Sequence, residues 1–279
     1  MLTDYHVHLR PDEHDSTAER YFTSANAERY REVAEERGIE ELGVAEHIHR
    51  FVQSLDIWSH PWYRHWAHDD VDEYVAFLRS VELRVGIEAD FLPGREDRVA
   101  NFLDGRDWDY VVGSVHFLRD DAVDVHGEPD WEPWDVWRGA DPEKVWARYF
   151  DTLGEAARSG IFDILAHLDL VKVFAGHVPV PDGDLRRFYD RAMDGIADSD
   201  VAVEVSTAGL RKPVAEIYPA RALLEMCLDA GRPVALSSDA HDPDQLGHEY
   251  ERAVELLRGL GVTEIAVFDR RERRMAELG

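Results

Sequence analysis

Seven apolar runs, most ending on a polar or ionisable residue and separated by helix-forming stretches, constrain this chain more than any other feature. They are TDYHVHL (3–9), ELGVAEH (41–47), LRVGIEADF (83–91), DYVVGSVHF (109–117), FDILAHLDL (162–170), VAVEVST (201–207) and PVALSSDAH (233–241). Strands alternating with amphipathic helices are the signature of an α/β architecture with parallel strands. The intervening helices have recognisable ends. SANAERYREVAEERG offers Ser24 as N-cap and Gly38 as stop, Asp141-Pro142 opens a helix running to Gly160, and further helices end near Gly231 and Gly261. No linker or low-complexity tract divides the 279 residues, so a single domain over 1–279 is expected.

Two parallel architectures fit that alternation, and the placement of ionisable residues separates them. His47, His116, His167, His241, Glu88 and Asp239 each lie within a turn of a strand's C-terminal end, and His14 follows the first strand closely. An open doubly wound sheet collects such residues only at its switch point, whereas a barrel gathers every strand end around one mouth. The expectation is therefore a distorted β/α barrel. His6 and His8 strengthen it, because the two-residue period of a strand sends both imidazoles to one side.

One buried histidine is ordinary, but this many at matching strand ends would demand several separate polar pockets. Convergence on metal is simpler. His6, His8, His14, His47, Glu88, His116, His167, Asp239 and His241 exceed the about four ligands that one zinc takes, so two to three divalent transition ions are expected, with zinc, iron and manganese all suited to nitrogen and oxygen donors. Glu88, after the apolar run VGIEA, is a costly buried carboxylate unless cations flank it, which makes it the candidate bridge. Asp4, Asp169 and Asp242 are expected to orient histidines or to be solvated.

The net charge of −27 argues against nucleic acid or an anionic membrane as partner, since either needs a basic face. A small anionic substrate remains compatible, because bound cations dominate the local field. No stretch of about 18 apolar residues and no signal-peptide layout at MLTDYHVHLR are found, giving a cytoplasmic expectation. Cys227 lies in a helical pattern and is expected to be a buried thiol without a chemical role. Residues 49–68 and 120–139 interrupt the alternation and overhang the expected mouth. Their tryptophans (Trp58, Trp62, Trp66, Trp131, Trp134, Trp137) either pack these long loops down or wall a substrate as lids.

In order and spacing, DYHVH with His14 following, AEH at His47, GIEADF at Glu88, GSVHF at His116, AHLDL at His167, STAGLRKP at Arg211 and SSDAH at Asp239 and His241 resemble the polymerase and histidinol phosphatase (PHP) superfamily. Within it, the sequence resembles the monofunctional histidinol-phosphate phosphatases. The resemblance implies a distorted (β/α)7 barrel of the PHP type and a trinuclear site. One ion would take His6, His8, Glu88 and Asp239, a second Glu88, His116 and His167, and a third His14, His47 and His241. Where relatives carry a CGH tripeptide this chain reads DEH, leaving Asp15 as an alternative to His14.

The resemblance also implies hydrolysis of a small phosphorylated substrate, L-histidinol phosphate in histidine biosynthesis, with Arg211, Lys212 and Lys172 toward the phosphate, where a guanidinium fork suits its oxygens. Catalytic roles fall to Glu88, Asp239 and His241; His177 and Asp242 are further candidates for general acid. Nucleotides or other small phosphate esters are the alternative substrates. An amidohydrolase-like enzyme is a weaker reading, since no lysine precedes Lys144 to bridge its metals, as is a noncatalytic metal-binding module.

Overall fold

The structure, a computed structural model, describes every residue of the chain except His14 and Asp15. Eleven strands are found among the described residues: β1 (Thr3–Asp4), β2 (Glu41–His47), β3 (Arg84–Asp90), β4 (Tyr110–Ser114), β5 (Phe117–Leu118), β6 (Asp121–Ala122), β7 (Ile164–Leu165), β8 (Ala202–Ser206), β9 (Val234–Ser237), β10 (Glu264–Asp269) and β11 (Glu272–Glu277). Seven of them form one sheet in the order β1-β2-β3-β4-β7-β8-β9, every neighbouring pair parallel. Beyond β1, Val7 pairs in parallel with Ala240, and the His8 amide donates to the Ala240 carbonyl at 2.7 Å, so the sheet closes on itself. This is the seven-stranded barrel that the sequence led us to expect.

Period-two alternation along the strands divides the buried apolar residues into two clusters. Val44, Val85, Ile87, Val111, Leu165, Val203, Val205 and Leu236 join the helices in one cluster. Ala45, Val112, Ile164, Ala202 and Ala235 form a second with Tyr5, Tyr110 and Phe268, which fill the barrel interior. Gly86 is required there, because a Cβ would lie 2.3 Å from the Tyr110 ring. On β3 the same alternation places Glu88 and Asp90 in the row of Gly86, opposite to Val85 and Ile87. The site thus continues the inward-facing row toward the C-terminal mouth.

Three strands are shorter than their apolar runs. The 3–9, 162–170 and 233–241 runs form continuous ladders only over β1, β7 and β9, with Val7–Ala240 a single bridge beyond them, and after β7 and β9 the backbone turns at the ionisable residues, where φ is 22° at His167 and 49° at Asp239. Helix ends follow local chemistry. Thr23, rather than Ser24, caps the Ser24–Glu36 helix by accepting from the Asn26 amide, a shift of one residue from the sequence expectation. Asp141 caps Pro142–Arg158 as expected, and Gly160 turns the chain at a φ of 69°. Cys227 is buried in the Arg221–Asp229 helix. The β10–β11 hairpin was not anticipated; its Phe268 meets Tyr5 and Tyr110.

The 49–68 segment is pinned at its ends, where Val52 donates to Asp69 and Phe51 bridges to Asp69, and it folds into short helical turns including Pro61–Trp66. No helix among the described residues is long and apolar enough to cross a membrane.

Candidate metal centre

Glu88 is the hub of the barrel mouth. Its Oε2 lies 3.2 Å from His6 Nε2, 3.7 Å from His8 Nε2 and 2.5 Å from His47 Nδ1, while Oε1 lies 3.2 Å from His167 Nε2 and 3.3 Å from His116 Nε2. Ser114 also donates to Oε1. One carboxylate thus faces five histidines contributed by four elements of the barrel: His6 and His8 from the segment beyond β1, His47 at the end of β2, His116 beyond β4 and His167 beyond β7. His47 and Glu88 are register partners on adjacent strands, which makes their contact a consequence of the sheet itself.

Asp239 completes one side, with Oδ1 3.7 Å from His6 Nε2, 3.3 Å from His8 Nε2 and 3.6 Å from His241 Nδ1. Its left-handed backbone is held from both sides. Arg211 Nη2 donates to the carbonyls of Ser238 and Asp239 at 2.8 and 2.9 Å, and Asp4 accepts from the Ser238 amide and hydroxyl at 3.0 and 2.5 Å. Donor atoms fall into four overlapping groups, each within 4.8 Å: His6, His8 and Asp239; His6, Glu88 and His167; His47, Glu88 and His116; and His8, His47 and His241.

Behind the histidines stand carboxylates that the sequence reading did not single out. Glu204 Oε1 lies 2.8 Å from His6 Nδ1, Asp90 Oδ1 lies 2.7 Å from His116 Nδ1, and Glu46 Oε2 lies 3.7 Å from His8 Nδ1. The hydrogen bonds to His6 and His116 fix ring orientation and raise imidazole basicity, while Glu46 faces His8 without a hydrogen bond. Asp90 is in turn held by the Tyr63 hydroxyl at 2.5 Å, and Glu46 by the amides of Leu9 and Arg10. Of the three carboxylates named beforehand, Asp4 orders the Asp239 turn, Asp169 pairs with Lys172 and the Ala220 amide, and Asp242 caps its own turn.

The charge balance is that of a cation site. Burial pushes the Glu88 carboxyl up, but His6, His47 and His116 outweigh it and hold it well below the usual range. Asp239 is likewise held low, burial being outweighed by His6, His8 and His241. Burial disfavours a proton on His116, yet Glu88 and Asp90 push it up to about 10. His6 rises well above the ordinary imidazole value against the same burial, through Glu88 and Glu204. His47 goes the other way, lowered by burial with His8 beside it. The carboxylates therefore impose a negative field that only positive charge can offset.

A cavity of about 360 Å³ opens over this cluster, lined by His47, His116, His167, Asp239 and His241 on its floor. Trp62 and Trp66 from one overhang and Trp131 from the other wall it, together with Asp124, Glu128 and Lys212. The two overhangs meet there, the Trp62 and Trp131 rings lying 4.5 Å apart between centroids. The remaining tryptophans pack the loops: Trp58 stacks on His60 at 4.3 Å, Trp134 lies edge-on to His60, and Trp137 Nε1 donates to the Val123 carbonyl.

The sequence profile of the PHP domain matches residues 15–208. The chain belongs to the PHP domain family. A protein of Deinococcus radiodurans described as a probable histidinol-phosphatase is 37% identical over 201 residues, spanning 69% of this chain and 74% of its own length. The histidinol-phosphatase of Bacillus subtilis is 27% identical over 63% of this chain and 69% of its own. In fold, the chain is similar to the histidinol phosphate phosphatase of Lactococcus lactis, solved with zinc, L-histidinol and phosphate, at a TM-score of 0.75 and 18% identity over 98% of each chain.

Of the candidate ligands in this PHP chain, His6, His8, His47, Glu88, His116, His167, Asp239 and His241 converge; His14 and its alternative Asp15 lie outside the described residues. The candidate phosphate contacts separate. Lys212 lines the cavity. Arg211 keeps one buried nitrogen, Nη1, without a hydrogen-bonding partner. Lys172 is buried and directs its ammonium to Asp169, Glu216 and the Ile217 carbonyl at 2.9, 3.0 and 3.1 Å. His177 and Asp242 do not line the cavity.

Proposed function

We propose that this protein hydrolyses L-histidinol phosphate to L-histidinol and phosphate, the phosphatase step of histidine biosynthesis, as a cytoplasmic metal-dependent phosphomonoesterase. The observation that carries the metal requirement is a set of buried donor atoms facing the cluster without hydrogen-bonding partners: His6 Nε2 and both ring nitrogens of His8. Leaving such atoms unpaired costs about 1–3 kcal/mol each. Imidazole and carboxylate donors in overlapping groups around one carboxylate suit two or three zinc, iron or manganese ions. His6, His8, Glu88 and Asp239 would hold one, Glu88, His116 and His167 a second, and His47 and His241, with His14 or Asp15, a third. When bound, such ions act as Lewis acids toward phosphoryl oxygens and lower the pKa of a water nucleophile.

The protein's own residues do the remaining work. Glu88 ties the groups together, so that charge on opposite sides of the cavity floor is held at a fixed separation. Glu204 and Asp90 keep the His6 and His116 imidazoles oriented, and Arg211 with Asp4 fixes the turn that presents Asp239. Lys212, which lines the cavity, is the residue assigned to phosphate oxygens, while Arg211, which does not line it, acts through the Asp239 turn. Trp62, Trp66 and Trp131 exclude water from above and offer aromatic faces to an imidazole or ammonium, while Asp124 and Glu128 supply the opposite charge. A dianionic ester with a cationic, aromatic leaving group matches both halves of this cavity.

A phosphate-release screen over histidinol phosphate, nucleoside monophosphates and sugar phosphates tests the assignment. Histidinol phosphate should be turned over with the highest kcat/KM. Preferential turnover of a nucleotide would reassign the substrate, and turnover of none would overturn the enzymatic reading.

A further inference from the structure

Asp12 lies on the loop beyond the first strand, and nothing in the ligand sets above uses it. Its Oδ2 lies 3.0 Å from His241 Nε2 and its Oδ1 3.9 Å from His47 Nε2; those two imidazole nitrogens are themselves 3.5 Å apart. His8 stacks on both rings, at 4.3 Å from His47 and 4.1 Å from His241. A side chain 54% exposed ordinarily points to water. This one is turned inward by Arg50, which is fully buried and donates to Asp12, to Glu46 and, at 2.6 Å, to the Arg10 carbonyl.

The ordinary explanation is that Asp12 neutralises a buried arginine, and a count of charges argues against it. Arg50 already pairs with fully buried Glu46, and neighbouring Arg10 pairs with Asp69 and Ser16. Two guanidinium groups and two carboxylates balance. Asp12 is the surplus negative charge, and its oxygens face two imidazole nitrogens that converge with buried, unpartnered His8. Carboxylate plus imidazoles is a donor set for a divalent transition ion.

We propose that Asp12 is a carboxylate ligand of the ion shared by His47 and His241, and that Arg50 is a positioning residue that aims it. The inference rests on the reading that this centre holds more than one divalent ion. It gives the outermost ion a ligand drawn from the loop that also rims the cavity, so loading of that ion depends on how the loop is held.

The test is a titration of the metal-free protein with zinc alone, followed by calorimetry and elemental analysis. Wild type should take up two or more equivalents. Asp12→Asn, which keeps shape and can still accept from Arg50, should lose one equivalent or bind it at least about tenfold more weakly, with the metal-free melting temperature unchanged. Arg50→Gln should weaken the same equivalent, and if that variant does not fold, Asp12→Asn alone decides. Zinc number and affinity unchanged in Asp12→Asn would overturn the proposal, as would a lowered metal-free melting temperature with zinc binding intact, which marks a structural ion pair. Fewer than two equivalents in wild type would instead remove the multinuclear reading beneath it.

Discussion

Glu204 grips His6 and the backbone of His167 with different oxygens: Oε1 lies 2.8 Å from His6 Nδ1, and Oε2 accepts from the His167 amide at 2.7 Å. One side chain on β8 therefore sets the ring of a residue beyond β1 and the bend after β7, where φ reaches 22°. Glu204→Gln keeps the volume but turns one of these acceptors into an NH2 that faces a donor. The expected result is a loss of about 10–100-fold in metal affinity and in kcat/KM, read by zinc titration and phosphate release. Unchanged values in both would remove Glu204 from the working site.

The barrel and the convergence of candidate donors at its mouth were legible because they depend on local pattern: period-two alternation placed His6 with His8, and strand ends placed His47, Glu88 and Asp239 at one mouth. Glu204 was equally legible in principle. It is a carboxylate inside the apolar run AVEVS, so the argument applied to Glu88 in VGIEA also holds for it. Asp90 and Glu46 escaped notice because each stands beside a stronger ligand candidate and its role appears only in three dimensions. Which tryptophans wall the cavity could not be read, since Trp62 and Trp131 are far apart in sequence and meet only when the two overhangs fold together. The same holds for Lys172, whose engagement with Glu216 depends on a loop 44 residues away.

Glu88→Gln tests the hub. The carboxylate is buried with five imidazoles around it, and a neutral amide removes the negative charge that draws cations to both sides. Zinc stoichiometry and phosphatase activity should fall together, activity by at least about a thousandfold. A Glu88→Gln protein that retains activity would refute the bridging role.

Asp124 and Glu128 line the cavity, and on the proposed function they would read the cationic part of the substrate rather than its phosphate. Neutralising both, as Asp124→Asn with Glu128→Gln, should lower kcat/KM for histidinol phosphate by roughly 10-fold and leave glycerol phosphate turnover nearly unchanged. Equal losses on both substrates would place these acids in general cavity structure.

Cys227 reports on the fold rather than the chemistry. Burial, with Asp169 nearby, pushes its thiol up to about 12. At pH 8 roughly one molecule in ten thousand carries the thiolate that alkylating reagents attack, and access is blocked as well. Iodoacetamide should leave the native protein unlabelled and modify it only on denaturation, with labelling followed by mass spectrometry. Rapid native labelling would show that the Arg221–Asp229 helix opens locally.

Metal removal should destabilise the protein as well as silence it. The cluster gathers buried carboxylates and unpartnered imidazole nitrogens from β2, β3 and the segments beyond β1, β4, β7 and β9, so ions bound there tie the whole mouth of the barrel together. A ligand at a hundred times its dissociation constant stabilises the native state by about 2.7 kcal/mol, which for a chain of this size raises the melting temperature by roughly 5 °C. Chelator-treated protein should melt lower by at least that amount, and zinc should restore it. The restored increment should be smaller in Glu204→Gln, because its histidines are aimed less well. A melting temperature indifferent to chelator and zinc would mean that the buried donors are satisfied without metal, and the reading of this mouth as a metal centre would fall.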